Sequence, residues 1–313
     1  MTETLFHAYT PLILWTGLGL LLLRFLPTAF PQLLGRMLYW IGVPVEILSL
    51  ARRMNFSEGT SLAVAVTVAA LTTSLALAWV SLLVGNRVLD RNSTWVAERS
   101  CQGSFILSSM LGNTGFIGLA IAPLFVSDRA LGLIVFYSIT QNLVGTYGLG
   151  VFLASYFGRL PQENRWWIQI RDVLCVPSLW AFITGLLTQG IELPDSLESG
   201  LRASIWFVIP AAFILMGIRL GQIQGWKSFQ LALVPAVLKV LVLPGLVGIG
   251  TTLIGLPTDS RLALVLMSGM PTAFAGLILA EEYDLDRELI ASSIVVTSVL
   301  LLLILPVWLV LFN

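Results

Sequence analysis

The chain has 313 residues, of which 57% are hydrophobic and 11% are charged, and its mean hydropathy is +0.91. A soluble domain is typically about 45 to 50% apolar and about 25% charged, so this chain has too little polar surface to stay in water. Its 17 basic and 17 acidic residues cancel, which excludes the basic surface of a nucleic-acid-binding protein. The composition therefore indicates an integral membrane protein in contact with lipid.

The chain offers few groups for catalysis or metal binding. Its only histidine, His7, lies near the N-terminus, and its two cysteines, Cys101 and Cys175, lie in apolar stretches. These residues cannot form a histidine metal cluster or a Ser-His-Asp triad. The sequence also lacks a Walker A phosphate-binding pattern. We therefore expect neither an enzyme nor a bound cofactor or metal.

Ten apolar segments follow one another along the chain with short connections. Each is long enough to cross about 30 Å of hydrocarbon as a helix, which takes about 20 residues. The segments are predicted at about 9–26, 33–51, 60–84, 97–125, 130–157, 170–189, 197–220, 229–254, 259–281 and 287–312. Because the connections leave no room for a soluble domain, we predict a single all-α transmembrane domain.

The basic residues are distributed unevenly among the connections. Eleven of the 17 Lys and Arg residues follow odd-numbered segments, five follow even-numbered segments, and Lys239 lies inside a segment. Lys and Arg are retained on the cytoplasmic side of a membrane. Both termini are therefore predicted to face outward.

An internal repeat relates the two halves of the chain at a shift of 166 residues. Trp40 and Pro44 in the second segment fall on Trp206 and Pro210 in the seventh, and similar matches occur between the first and sixth segments. Coincidence in leucine-rich sequence does not account for matched prolines and tryptophans. We interpret the pattern as a true repeat.

The repeat predicts the topology of the fold. The shift advances the chain by five segments, an odd number, so the second copy runs through the membrane in the opposite direction. We predict two inverted repeats of five helices, over residues 1–157 and 158–313. In many secondary transporters with this architecture the solute binds near the midplane, where the repeats meet.

The fourth segment of each half is interrupted by helix-breaking residues. Residues 112–118 read Gly-Asn-Thr-Gly-Phe-Ile-Gly, and residues 268–273 read Ser-Gly-Met-Pro-Thr-Ala. Each glycine weakens a helix by roughly 1 kcal/mol, and Pro271 removes a backbone donor. Each break also creates a helix N-terminus that favours an anion. The alternative interpretation is an ordinary kink or a close-packing glycine.

These segments resemble those of the auxin efflux carrier family. Residues 112–119 resemble the Asn-Thr-Gly segment of the family, and residues 270–273 followed by 279–283 resemble its Met-Pro-x-Ala and Ala-Glu segment. Residues 141–143 and 238–239 also have counterparts in the family. The resemblance spans nearly the whole chain, and the two interrupted segments are its most specific part.

The resemblance implies a fold in which the fourth and ninth helices are broken and cross at a central site, as in bile-acid-type and sodium-proton-antiporter folds. It also implies export of small organic anions, such as auxin in plants or dicarboxylates in bacteria. About a dozen residues around 161–169 replace the long hydrophilic loop of plant members, so the chain resembles the compact bacterial form. We therefore expect it in a bacterial inner membrane. Many members carry a proline where this chain has Ala120, which affects the first crossover.

The predicted solute site combines the two breaks with polar residues of the fifth segment. Gln141 and Asn142 either line the cavity or make hydrogen bonds between helices. The predicted substrate-binding residues are Asn113, Thr114, Gly115, Gln141, Asn142, Met270, Pro271 and Thr272.

Two ionisable residues lie inside apolar segments, where a charge costs about 2.5 to 3.5 kcal/mol on insertion scales. One interpretation is that Lys239 supplies a fixed or titrating positive charge for an anionic solute or a coupled proton. The other is that it forms an ion pair that holds two helices together. Glu46 is the partner of opposite sign, but it lies close to Arg52, so a structural pairing near the interface is favoured.

The leading functional hypothesis is a secondary carrier that exports a small monocarboxylate or dicarboxylate by alternating access. A carrier of the same fold that is coupled to sodium or protons is the first alternative, and a membrane sensor that binds its solute without flux is the second. The expected partners are the solute, lipid and a coupling ion, and the sequence is compatible with a homodimer.

Overall fold

The computed structural model describes most of the chain. The described residues are 2–27, 29–52, 60–88, 98–159, 166–222 and 226–312. The short connection expected around 161–169 lies partly outside these ranges.

Regular structure in the described ranges is helical, apart from one isolated antiparallel bridge between Gly112 and Thr272. The α-helices are α1 Thr2–Leu22, α2 Phe30–Met37, α3 Val43–Arg52, α4 Thr60–Val88, α5 Arg99–Met110, α6 Leu119–Ile121, α7 Leu131–Thr140, α8 Val151–Gly158, α9 Trp166–Leu174, α10 Pro177–Leu187, α11 Asp195–Gly221, α12 Trp226–Val237, α13 Leu243–Leu253, α14 Thr258–Ser268, α15 Phe274–Glu282 and α16 Arg287–Phe312. The π-helical segments are Leu38–Gly42, Thr114–Gly118, Gln141–Gly150 and Leu238–Val242.

All ten predicted apolar segments fall on helical residues, although several are interrupted. In the described chain, four uninterrupted stretches are long and apolar enough to cross a membrane, namely Ser61–Gly85, Asp195–Gly221, Ser228–Leu253 and Arg287–Phe312. Helices α9 and α10 form a fifth if the pair is one span, with a bend of 48° before Pro177. The all-helical membrane class is confirmed, and the count of ten spans remains a prediction.

The helices group into two compact units. Unit 1 contains residues 1–56 and 171–223, and unit 2 contains residues 57–170 and 224–313. Each unit takes one stretch from each predicted half. The inverted repeat itself stays a prediction. In unit 1, however, the two stretches begin about 166 residues apart in the sequence, which is the predicted offset.

Helices α1 and α11 of unit 1 pack with their backbones in contact at two glycines. A Cβ atom on Gly19 would overlap the carbonyl oxygen of Ile214, and a Cβ on Gly217 would overlap that of Thr16. Helices in lipid associate through such close packing because no hydrophobic driving force acts between them. The two glycines therefore set the spacing of this helix pair.

A second close contact in unit 1 joins α10 to α3. A Cβ on Gly185 would lie 2.5 Å from the Cβ of Ala51 and 3.0 Å from the carbonyl oxygen of Leu48. The offset of 166 residues carries Gly19 onto Gly185 and Ala51 onto Gly217. The contact between α1 and α11 and the contact between α10 and α3 therefore lie at positions that the predicted repeat relates to each other.

The interrupted helices form the interior of unit 2. Most residues of α5 and α14, the helices that precede the two breaks, are buried. Helices α4, α8 and α16 pack on α5, and helices α7, α13 and α16 pack on α14. Since α5 carries serine, glycine and cysteine at many positions, neighbouring helices approach its backbone closely.

We predict that Gly217→Ala destabilises the protein, because the added methyl group must push α1 away from α11. Overpacking of this kind typically costs about 1 to 3 kcal/mol. Gly200 lies in the same helix with open space around its Cβ position, so Gly200→Ala is the matched control, with an expected gain of up to about 1 kcal/mol. Thermal unfolding of the purified variants in detergent measures both. Equal unfolding midpoints for the two variants would contradict the close contact.

Candidate functional site

The two breaks of unit 2 pair with each other through their backbones. The Asn113 N–H donates to the carbonyl oxygen of Pro271 at 2.7 Å, and the Ala273 N–H donates to that of Leu111 at 2.8 Å. Gly112 and Thr272 lie opposite each other in this antiparallel bridge. Each break thus satisfies backbone groups that the other exposes, as unwound backbone at membrane depth requires. We call residues 111–114 and 270–273 the crossover.

Two neighbouring helices anchor Thr272 in the crossover. Its N–H donates to Oγ1 of Thr297 in α16 at 3.0 Å, and its own Oγ1 donates to the carbonyl oxygen of Ser108 at 2.8 Å. Neither Thr297 nor Ser108 was among the predicted site residues. The available signal was a hydroxyl inside an apolar segment, which by itself is typical of packing.

Asn113 caps the helical stretch that follows the first break. Its Oδ1 accepts from the N–H groups of Phe116 at 3.2 Å and Ile117 at 3.4 Å. This N-terminus is therefore already occupied by a side chain of the protein. The hydroxyl of Thr114 is fully buried and has no hydrogen-bond partner in the described chain.

The helix after the second break begins without such a cap. Ala273 precedes α15, and its side chain accepts no hydrogen bond. Among the described residues, the N–H groups of Phe274 and Ala275 have no acceptor. The partial positive charge of a helix N-terminus is therefore uncompensated on this side of the crossover.

Lys239 places its ammonium group against the first break. The side chain is 1% exposed, and Nζ lies 3.3 Å from the carbonyl oxygen of Met110. A Cβ on Gly112 would lie 2.9 Å from Nζ, so any other residue there would require the ammonium to move. No carboxylate within the described ranges forms an ion pair with Lys239. The predicted interhelical ion pair is therefore not seen in these ranges.

The two polar residues of the fifth segment lie at the same break. Gln141 Nε2 donates to the carbonyl oxygen of Met110 at 3.2 Å, which is the acceptor that Lys239 also uses. Asn142 Nδ2 donates to the carbonyl oxygen of Ser138 at 3.0 Å and would lie 3.2 Å from a Cβ on Gly115. Two glycines of the first break thus each accommodate a polar side chain, Gly112 that of Lys239 and Gly115 that of Asn142.

The remaining predicted residues lie in the second strand of the crossover. Met270 is fully buried and packs against Gly118, where a Cβ would lie 3.3 Å from its Cγ. Pro271 contributes its carbonyl oxygen to the pairing with Asn113. The structure therefore brings together the predicted residues of both breaks with Gln141, Asn142 and Lys239.

Three π-helical segments of unit 2 carry predicted site residues. Thr114–Gly118 follows the first break, Gln141–Gly150 begins with Gln141 and Asn142, and Leu238–Val242 contains Lys239. Such wide turns are frequent at functional sites and free a backbone carbonyl from its usual partner. The carbonyl oxygen of Val240 accepts from Trp308 Nε1 at 3.2 Å. The apolar periodicity of the sequence did not predict these π-helical turns.

Glu46 lies in unit 1, whereas Lys239 lies in unit 2. Glu46 is 6% exposed, and the buried hydroxyl of Ser49, three residues later, has no partner in the described chain. Within the described ranges no ion pair joins Glu46 to Arg52, which lies 3.5 Å from Glu198 and donates to the carbonyl oxygens of Thr188 and Ile191. The arginine therefore caps the end of α10 instead.

The apolar helices and the buried crossover of broken helices define the class of the protein as an integral membrane transporter. A family model described as membrane transport protein matches residues 4–309. The chain belongs to this family, the auxin efflux carrier family that its crossover residues resemble.

Two relatives support this assignment. The chain is 28% identical over 215 residues to an uncharacterized transporter of Methanocaldococcus jannaschii, covering 66% of this chain and 67% of that protein. It is 26% identical over 279 residues to an uncharacterized transporter of Methanothermobacter thermautotrophicus, covering 88% of this chain and 87% of that protein. Both are archaeal, so the bacterial membrane expected from the resemblance stays a prediction.

We predict that Asn113→Ala lowers stability by about 1 kcal/mol, because the N–H groups of Phe116 and Ile117 lose their acceptor. Asn113→Ser keeps an uncharged side-chain oxygen at the cap and is expected to retain most of this stability. Thermal unfolding of the purified variants compares the two. Equal losses for both variants would show that the cap does not contribute.

We also predict that Gly112→Ala displaces the ammonium group of Lys239 and destabilises unit 2 by about 1 to 3 kcal/mol. Gly250 lies in α13 with nothing within 4 Å of its Cβ position, so Gly250→Ala is the control and is expected to leave stability unchanged or slightly raised. The same thermal assay measures both variants. If Gly112→Ala unfolds at the wild-type temperature, Lys239 does not lie against Gly112.

Proposed function

We propose that this protein is a secondary carrier that exports a small organic anion, a monocarboxylate or dicarboxylate, by alternating access. The observation that supports the anion most strongly is the ammonium group of Lys239, buried beside the crossover without a carboxylate partner in the described chain. A buried charge of this kind is costly in a membrane and marks a functional site by default.

The anion would bind between two positive features of the crossover. One is Lys239 Nζ on Gly112, and the other is the uncapped N-terminus of α15, which follows Thr272. Gly112 pairs directly with Thr272, so the two features belong to the same short stretch of paired backbone. A carboxylate can accept from the free N–H groups of Phe274 and Ala275 while it compensates the charge of the lysine.

Neutral polar groups would orient the rest of the solute. In the described chain the hydroxyl of Thr114 is buried without a partner, and the amide of Asn142, which donates to the carbonyl oxygen of Ser138, lies beside Gly115. An unpaired buried hydroxyl rejects analogues that cannot hydrogen-bond to it, so it favours a solute with polar substituents over a purely apolar acid. Asn113 contributes indirectly, by fixing the backbone that carries Thr114.

In the proposed cycle the crossover opens first to one side of the membrane and then to the other. Both termini would face outward, as the distribution of basic residues predicts. The π-helical segment Gln141–Gly150 is a suitable place for this change, because a wide turn and its glycines let the backbone shift register at little cost.

The direct test is flux of labelled monocarboxylates and dicarboxylates in proteoliposomes containing the full chain. We expect wild-type protein to transport at least one of these acids and Lys239→Ala to reduce its flux by about tenfold or more, since a hydrogen bond to a charged group contributes roughly 1.5 to 3 kcal/mol. Asn113→Asp should also reduce flux, because its carboxylate repels the anion.

The control variant is Thr251→Val. Thr251 is equally buried in unit 2, but its hydroxyl bonds to the carbonyl oxygen of Val247 in its own helix, so its removal should leave flux unchanged. Transport of none of the acids by wild-type protein would contradict the proposal. Binding without flux would instead favour a sensor, and flux that needs a sodium or proton gradient would favour a coupled carrier.

A further inference from the structure

The carboxyl end of α5 lies at the crossover and receives side-chain donors from three other segments of the chain. The last carbonyl groups of a helix have no partner within it and carry about half an elementary negative charge between them. The carbonyl oxygen of Ser108 accepts from the hydroxyl of Thr272 at 2.8 Å. That of Met110 accepts from Gln141 Nε2 at 3.2 Å and from Lys239 Nζ at 3.3 Å.

Carbonyl oxygens at the ends of broken helices are the groups with which secondary transporters commonly hold a coupling cation such as sodium. Here the positive charge at that position belongs to the protein. Lys239 reaches it from the π-helical segment Leu238–Val242, and the missing side chain of Gly112 leaves the space that Nζ and Cε occupy. The ammonium group is held there by donating a hydrogen bond to the carbonyl oxygen. A sodium ion at the same place would be held by the attraction between its charge and that oxygen.

We infer that Lys239 is a tethered cation that takes the place of a dissolved sodium ion at the crossover. The carrier then needs no sodium ion to hold its broken helices together or to bind its solute. The inference rests on the proposed function only in taking the crossover as the place where the solute binds.

The charges around Lys239 support this role. In the described chain its ammonium faces a helix end that carries about half a negative charge, and it has no carboxylate partner. The helix end therefore neutralises only part of the charge of the lysine, and a partial positive charge remains. A sodium ion placed beside the ammonium would be repelled by it. The leftover charge instead favours an anion, which links the tethered cation to the solute.

Removing the lysine side chain should therefore create a site for a dissolved cation. Lys239→Ala leaves the carbonyl of Met110 without the ammonium, beside a space that the lysine had filled. Lys239→Ser adds a hydroxyl oxygen, which is a further ligand of the hard type that sodium prefers. Lys239→Arg keeps the charge on the protein.

The test is the thermal unfolding midpoint of the purified full chain in detergent, measured in sodium chloride and in choline chloride at equal concentration and without any solute. We expect wild type and Lys239→Arg to unfold at the same temperature in both salts. Lys239→Ala and Lys239→Ser should unfold several degrees lower than wild type in choline chloride and regain stability with rising sodium concentration. Leu241→Ala is the control, because Leu241 lies on the same π-helical segment with 40% of its surface exposed, and its midpoint should not depend on the salt.

Two results would overturn the inference. One is a sodium-specific rise in the midpoint of wild-type protein, which would mean that a dissolved cation binds although Lys239 is present. The other is a folded Lys239→Ala or Lys239→Ser variant whose midpoint is the same in both salts. If neither variant folds, the wild-type comparison decides. The assay uses no organic acid, so failure of the flux experiment and failure of this one are independent.

Discussion

The structure of unit 2 depends on one constraint, which is that every backbone N–H and carbonyl group at membrane depth must find a partner inside the protein. Two helices break in the interior of this unit and would each leave several such groups unpaired. The short antiparallel pairing of Leu111 and Asn113 with Ala273 and Pro271 satisfies one N–H and one carbonyl group of each break. Thr272 adds two hydrogen bonds, one from its N–H to the hydroxyl of Thr297 and one from its own hydroxyl to the carbonyl oxygen of Ser108.

The same pairing determines where charge accumulates. The carboxyl end of α5 and the amino end of α15 meet within a few residues of each other, so a negative and a positive helix end lie at one place. Lys239 compensates the first, and Asn113 caps the remaining amino end nearby. The amino end of α15 is the one left open, and this asymmetry is why the site is suited to an anion.

The membrane class and the positions of the two breaks could be predicted from the sequence, because they follow from composition and from residue types with strong effects on the backbone. Bulk apolarity gave the membrane class, and the glycines and Pro271 gave the two breaks. The partners of single side chains could not be predicted. Arg52 binds Glu198 and not Glu46, and Thr297 holds a break although a hydroxyl in an apolar segment usually indicates packing. The π-helical turns left no periodic signal, and the 166-residue offset does not carry one break onto the other, since it places residues 111–114 on 277–280, within α15.

The central claim is that the crossover binds an organic anion, and the measurement that tests it most directly is a cryo-electron microscopy structure of the full chain with a transported acid bound. Our account predicts carboxylate density between the ammonium of Lys239 and the N–H groups of Phe274 and Ala275, with Gly112 and Thr272 still paired. Density for the acid elsewhere in the protein, or a continuous helix through residues 108–118, would contradict it.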